Sequence, residues 1–181
     1  MLFASYATIA LSLVGAAVAL PPAKRGAGDV QNALNSLSSQ ISTLDAVLVA
    51  YPGNNMAPSE LYNHFTATGS SADSVANAAR GTGTLNEGDG QNVLNSLQNA
   101  IPQLEDLVQQ LINKKIGFIG LPATGGIEAH LLQGLQSLTN SLTNSANSLL
   151  AIAPGDLQGA EQSLFQRMSR ALSRAVSAFS S

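Results

Sequence analysis

Catalysis by side chains needs nucleophiles, titratable groups or metal ligands at spacings a fold can bring together, and this sequence offers few such sets. There are two histidines, His64 and His130, and no cysteine. A bound metal takes three or four ligands from a small region. Glu128 and His130 stand two residues apart and fall on different sides of a helix. No metal site is expected, and both histidines read as surface or helix-end residues. The many serines include no Gly-x-Ser-x-Gly elbow, and no Ser, His and acid set stands out as a triad. Glu105 and Asp106 are neighbours that diverge on a helix, so they form no acid–base pair. The glycine-rich loops lack the Gly-Lys-Ser/Thr ending of a phosphate cradle. GTLNEGDGQ at 83–91 lacks the alternating acids of a calcium loop. The residues therefore exclude the familiar catalytic classes and call for no cofactor.

One polar constellation remains. Arg167, Arg170 and Arg174 share a helix face at three- and four-residue steps. Such a stripe is usually a solvated face, favoured toward the carboxyl end of a helix dipole. The sharper reading is contact with anionic headgroups or with a ligand carboxylate.

The elements that would position any site are helices. From Asp29, a candidate N-cap, Leu34, Leu37, Ile41, Leu44 and Leu48 recur at alternating steps of three and four, with a stop at Tyr51-Pro52-Gly53. The same helix returns further on: QNALNSL at 31–37 reappears as QNVLNSL at 91–97, each preceded by Gly-Asp. The repeat reads as a duplicated helical hairpin or as one low-complexity pattern held to a common core register. A weaker helix is expected over 58–79, opened by Pro58 and Glu60, with Leu61, Phe65, Ala72, Val75 and Ala79 on or near one face and Gly69-Ser70-Ser71 as a potential bend. The segment 81–90 reads as a loop.

The next helix spans 89–115, with Leu94, Leu97, Ile101, Leu104, Val108 and Leu111 inward and Lys114-Lys115 at its carboxyl end. Pro102 inside it predicts a kink near 99–102, or two helices. An apolar loop follows at 117–126, then a helix over 127–152 and a last one from Asp156 to Phe179. Short connections and the absence of β-alternation make this an all-α antiparallel bundle of about five amphipathic helices, one domain over 27–181.

The amino end carries an apolar run from Ile9 to Leu20, small residues and a proline pair, the pattern of a secretory signal peptide cleaved after Ala19. Lys24-Arg25 then matches a dibasic processing site within a 20–26 linker, or is an ordinary polar pair. The product is expected outside the cell or in its wall, with no transmembrane span and no lipid-anchor tail. Without cysteine, its stability in an oxidising compartment rests on packing. Charged residues are 10% and hydrophobic ones 45% of the chain, so the polar faces are built from Ser, Asn, Gln and Thr. A net charge of −3 with scattered signs argues against nucleic acid.

QNALNSLSSQISTLDAVLVAY and LTNSLTNSANSLLAIAP, following a signal peptide and a Lys-Arg pair in a cysteine-free chain, resemble the fungal hydrophobic surface binding protein A family, also described as antigenic cell-wall galactomannoproteins. The resemblance implies a secreted or wall-retained helical bundle that adsorbs to hydrophobic surfaces. It also implies, for some members, recruitment of polyester-degrading hydrolases or enclosure of fatty acids between helices. The chain has no Asn-x-Ser/Thr sequon, so any glycan would be carried on serine or threonine. If a central cavity exists, the stripe positions expected to line it are Leu37, Ile41, Leu97, Ile101, Leu138, Leu142, Met168 and Leu172. The competing reading is a structural or antigenic wall protein with no specific apolar ligand.

Overall fold

A computed structural model describes residues 26–50, 58–119 and 127–180. It holds five helices: α1 Ala27–Ala50, α2 Pro58–Arg80, α3 Glu87–Ile119, α4 Ile127–Leu150 and α5 Gln158–Ser180. No strand occurs among the described residues, and the expected all-α fold is the one observed. The signal and processing positions Ala19, Lys24 and Arg25, the stop at 51–53 and the loop residues 120–126 lie outside the described residues.

The first turns of the repeat differ from expectation. Asp29 is not the N-cap of α1 but its third helical residue, and its Oδ2 accepts the Gly26 amide at 3.1 Å. In α3 the cap is Asn86: its Oδ1 accepts the Asp89 amide at 2.9 Å, while its Nδ2 donates to Asp89 Oδ2 at 2.7 Å. The repeated aspartate thus answers the cap from one turn inside, where a carboxylate also meets the positive end of the helix dipole. That arrangement starts α3 at Glu87, inside the segment expected to be a loop up to 90. Asn86→Ala is expected to cost about 1 kcal/mol, read as a lower urea midpoint at unchanged slope.

α3 is one helix rather than two, running through Pro102. The proline forfeits one backbone bond, but Leu97, Ile101, Leu104, Leu107, Val108 and Leu111 are all buried on either side of it. At about 1.5–3 kcal/mol per buried large side chain, that burial outweighs the local loss. The helix also continues past the lysines and takes in 117–119, since a glycine such as Gly117 costs a helix only about 1 kcal/mol relative to alanine. α2 likewise runs unbroken through Gly69-Ser70-Ser71. α4 ends at Leu150 rather than 152. α5 opens after a turn in which the amides of Leu157 and Gln158 both reach Pro154 O, so Asp156 precedes the helix instead of starting it.

Lys114 and Lys115 are expected at the end of their own helix, but they serve two others. The Lys114 ammonium donates to Leu48 O at 2.6 Å and Val49 O at 2.8 Å, in the last turn of α1. Lys115 donates to Ala178 O in the last turn of α5. Carbonyls left unbonded at a helix end attract a cation, and the nearest cations here come from α3.

These cross-links also set direction. Gln31 with Ser96, Asp45 with Gln110 and Leu48 with Lys114 make α1 and α3 parallel. Glu105 with Arg167 and Lys115 with Ala178 do the same for α3 and α5. Gly69 beside Ser141 and Ala72 beside Ser145 do so for α2 and α4. Consecutive helices are antiparallel, but neighbours in space are not always consecutive. The packing order is α1, α2, α4, α5, α3 and back to α1, with α3 and α4 touching only slightly. The five helices therefore close a ring. Its tightest seam joins α2 and α4, where small residues bring the backbones together and Phe65 lies against Gly134.

Candidate functional site

A closed ring of amphipathic helices turns every leucine stripe toward one axis, and a small cavity lies between them. All five helices contribute: Leu34, Leu37 and Ile41 from α1, Val75 from α2, and Leu97, Ala100, Ile101 and Leu104 from α3. Leu142, Ser145, Ala146 and Leu149 come from α4, and Phe165 and Met168 from α5. Its volume is about 30 Å³. That is room for about one water, but a wall so apolar stays dry. Ser145 is the one polar lining residue, and its hydroxyl is engaged with the Ala72 and Ser141 carbonyls.

Six of the eight expected lining positions, Leu37, Ile41, Leu97, Ile101, Leu142 and Met168, surround this cavity. Leu138 and Leu172 are fully buried one turn further along α4 and α5, where they pack in the core instead of lining it. Phe165 and Ser145 went unnoticed in the sequence, where a serine on an apolar face resembles its many surface counterparts, and Val75 was placed on the weak apolar face of α2 without being expected to line a cavity.

The residue that sequence reasoning missed entirely is Glu161. It is 0% exposed, the sole buried acid or base among the described residues, and neither carboxyl oxygen has a hydrogen-bond partner. Burial pushes its pKa from 4.5 up to about 7, since a dry surrounding penalises the charged form. Glu161 precedes Phe165 by one turn on the α5 stripe. The Arg167–Glu105 pairing offsets α5 from α3 by 62 residues, which sets Glu161 level with the turn holding Leu97 and Ala100. It therefore lies at the axial level of the cavity, one turn before the lining residue Phe165, without itself being part of the lining. The signal was a lone acid at the apolar period, four residues before Phe165 and seven before Met168.

The arginine stripe faces outward, away from the cavity. Arg167 makes a two-pronged bond to Glu105, Nε–Oε1 at 3.2 Å and Nη2–Oε2 at 2.6 Å. The pair raises the arginine pKa through that bond and its charge. Arg170 and Arg174 are exposed and border a shallow groove with Ser169 and Ser173. One of the three charges is thus already balanced. Glu60 stands one helical turn before His64, a two-ligand spacing, but no group of three metal-ligating side chains occurs among the described residues. His130 instead lies against Tyr62, ring centres 6.0 Å apart.

Among the described residues Val49, at 59%, is the one large hydrophobic side chain that is exposed. No described helix is long and apolar enough to cross a membrane.

A five-helix ring around a dry apolar centre, with scarcely charged backs and no assembled reactive set among the described residues, defines a class of helical proteins built around an internal apolar space. The sequence profile of hydrophobic surface binding protein A matches residues 27–148, and the chain belongs to that family. No curated protein sequence matches it as a relative. Its fold is similar to that of AFMP4P, solved in complex with palmitic acid, at TM-score 0.78 and 20% identity over 84% of this chain and 99% of that one. It is also similar to ligand binding domain 1 of the Penicillium marneffei MP1 protein, complexed with arachidonic acids, at TM-score 0.76 and 17% identity over 84% and 98% of the two chains. Ligand binding domain 2 of MP1, with multiple arachidonic acids, matches at TM-score 0.77 and 15% identity over 87% and 97%.

Proposed function

We propose that this protein is a secreted, non-catalytic binder of fatty-acid-type lipids, which it takes up along the axis of its helix ring, and that it binds hydrophobic surfaces with the same leucine stripes. The observation that carries the reading is the cavity: a space of about 30 Å³ within the helix ring, lined from all five helices by apolar side chains and a single hydroxyl. Family membership and the acyl ligands of the similar folds support it.

Uptake requires the ring to widen. A ligand pocket holds roughly 300–1,000 Å³, against about 30 Å³ in the closed ring. Widening replaces contacts between leucine stripes by contacts of those stripes with an acyl chain, so apolar surface stays buried and the net cost is small. Surface binding follows the same logic. Among the described residues Val49 is the one large apolar side chain exposed, so within the ring the apolar area on offer to a surface is the leucine stripes, which adsorption turns outward.

Two measurements test this. Solvent extraction of the purified protein, followed by mass spectrometry, is expected to release fatty acids, and the delipidated protein to adsorb to apolar beads. Neither result would leave a structural wall protein as the better reading. In addition, Ala146→Leu adds bulk directly to the cavity wall. It is expected to lower palmitic acid uptake roughly tenfold at a stability cost of about 1–3 kcal/mol. Uptake equal to wild type would place the ligand elsewhere.

A further inference from the structure

The cavity explains how an acyl chain is held but leaves its polar head without a partner, and it leaves one buried carboxyl without one too. Resting on the reading of the ring as a fatty-acid site, we propose that Glu161 is the head-group contact. It binds the ligand carboxylate beside the cavity as a hydrogen-bonded pair sharing one proton.

Three observations converge on it. Glu161 is fully buried with both oxygens unpartnered, a cost that proteins rarely carry without a use for the group. It lies one turn from Phe165 on the stripe that lines the cavity, at the level of Leu97 and Ala100. The other polar group at the wall, the Ser145 hydroxyl, already has its proton committed to backbone carbonyls, so it has no donor for a carboxylate.

The protonation chemistry fits. A neutral carboxyl donates one hydrogen bond and accepts others, which complements a ligand carboxylate, whereas an ionised one would repel it. The charged groups of the elements packed against α5 stand apart. On α3, Glu105 is bound to Arg167 and Asp89 to Asn86 at the surface, and Asp106, like them, is not buried. Lys114 and Lys115 serve the opposite end of the ring. Glu87 in the first turn of α3 is exposed, His130 lies in the first turn of α4 at that opposite end, and Asp156 in the turn preceding α5 is exposed. Burial is the cause of the raised pKa. On binding, the Glu161 O–H donates to a ligand oxygen and no proton need enter or leave. Above about pH 7 the ligand-free Glu161 is ionised, so binding must either take up a proton or set two carboxylates against each other, and it weakens.

The experiment titrates delipidated wild type, Glu161→Leu and Glu161→Gln with palmitic acid and with methyl palmitate, at pH 6 and pH 9. Bound ligand is quantified by mass spectrometry, and folding is checked by circular dichroism. At pH 6, Glu161→Leu is expected to bind palmitic acid roughly tenfold to a hundredfold more weakly, with methyl palmitate changed less than about threefold. Wild type is expected to bind palmitic acid about tenfold more weakly at pH 9 than at pH 6, and Glu161→Gln, which keeps a donor but cannot ionise, to lose that dependence. Folded Glu161→Leu that binds palmitic acid like wild type, or that loses both ligands alike, overturns the assignment of Glu161 while the cavity reading stands. Should Glu161→Leu not fold, identical pH profiles of wild type and Glu161→Gln overturn it. Wild type that takes up neither ligand overturns both readings.

Discussion

Raising the pH from 4.5 to about 8 is expected to cost the ligand-free protein about 3 kcal/mol of stability through Glu161 alone. The sign follows from which state holds the proton. The unfolded chain releases it near the ordinary value of 4.5, the folded chain only near 7, so between these values the folded state binds more protons. Stability is therefore fully present below 4.5, falls as the pH rises through 7, and levels off above it. This is the reverse of an acid paired with a cation, which loses stability as the pH falls. For a chain of this size the loss corresponds to a decrease of roughly 6–12 °C in melting temperature. Glu161→Gln removes the titration, so the difference between the two proteins, read from melting curves across this range, isolates the group from the histidines and the surface acids. Parallel curves would mean that water or a rearrangement relieves the buried carboxyl. The effect is separable from ligand binding, because it is measured on delipidated protein.

Phe65→Ala is expected to cost about 3–5 kcal/mol, the largest effect of any single truncation considered. Phe65 is 1% exposed and is the largest buried side chain of α2, set against Gly134 at the seam with α4. Its Cβ would lie 3.1 Å from a side-chain carbon added at Gly134, so the ring is clasped between two backbones that approach closely. Removing it opens a void that neighbouring alanines and serines cannot fill. The same contact predicts coupling. In wild type, Gly134→Ala crowds Phe65, whose Cβ, Cγ and Cδ2 lie 3.1, 3.3 and 3.5 Å from the added carbon; Phe65→Ala removes the ring contacts but keeps the Cβ contact, so Gly134→Ala is expected to cost less in that background without becoming free of crowding. A double-mutant cycle by urea denaturation measures this coupling, and simple additivity would remove the clasp from the account.

The two predictions differ in how far they could be foreseen. Phe65 was legible as a core residue from Leu61, Phe65, Ala72 and Val75, but its partner was not, because Gly134 carries no side chain and so no pattern. Glu161 was overlooked because the first turn of a helix is an ordinary place for an exposed acid. Its burial depends on the rotation of α5 against α3 and α4. The arginine stripe was read correctly as one face, yet the partner of Arg167 is Glu105 on another helix, beyond the reach of any local spacing.

What the sequence determined by itself is the set of five helices and the face each one buries. The α-helical period is a property of the local backbone, and leucines recurring at three and four residues leave a chain in water one economical way to hide them. The tertiary structure alone decided how those faces meet. The ring order, the parallel neighbours α1 with α3, α3 with α5 and α2 with α4, and the lysines of α3 closing the ends of α1 and α5 all depend on offsets between segments far apart in the chain. Five similar stripes of leucine are nearly interchangeable as sequence patterns. Register and rotation are set only when the glycines, the bulky wedge and the one buried acid found among the described residues reach positions that all can share, and it is that settlement which leaves a cavity within the ring and Glu161 buried one turn before its lining residue Phe165.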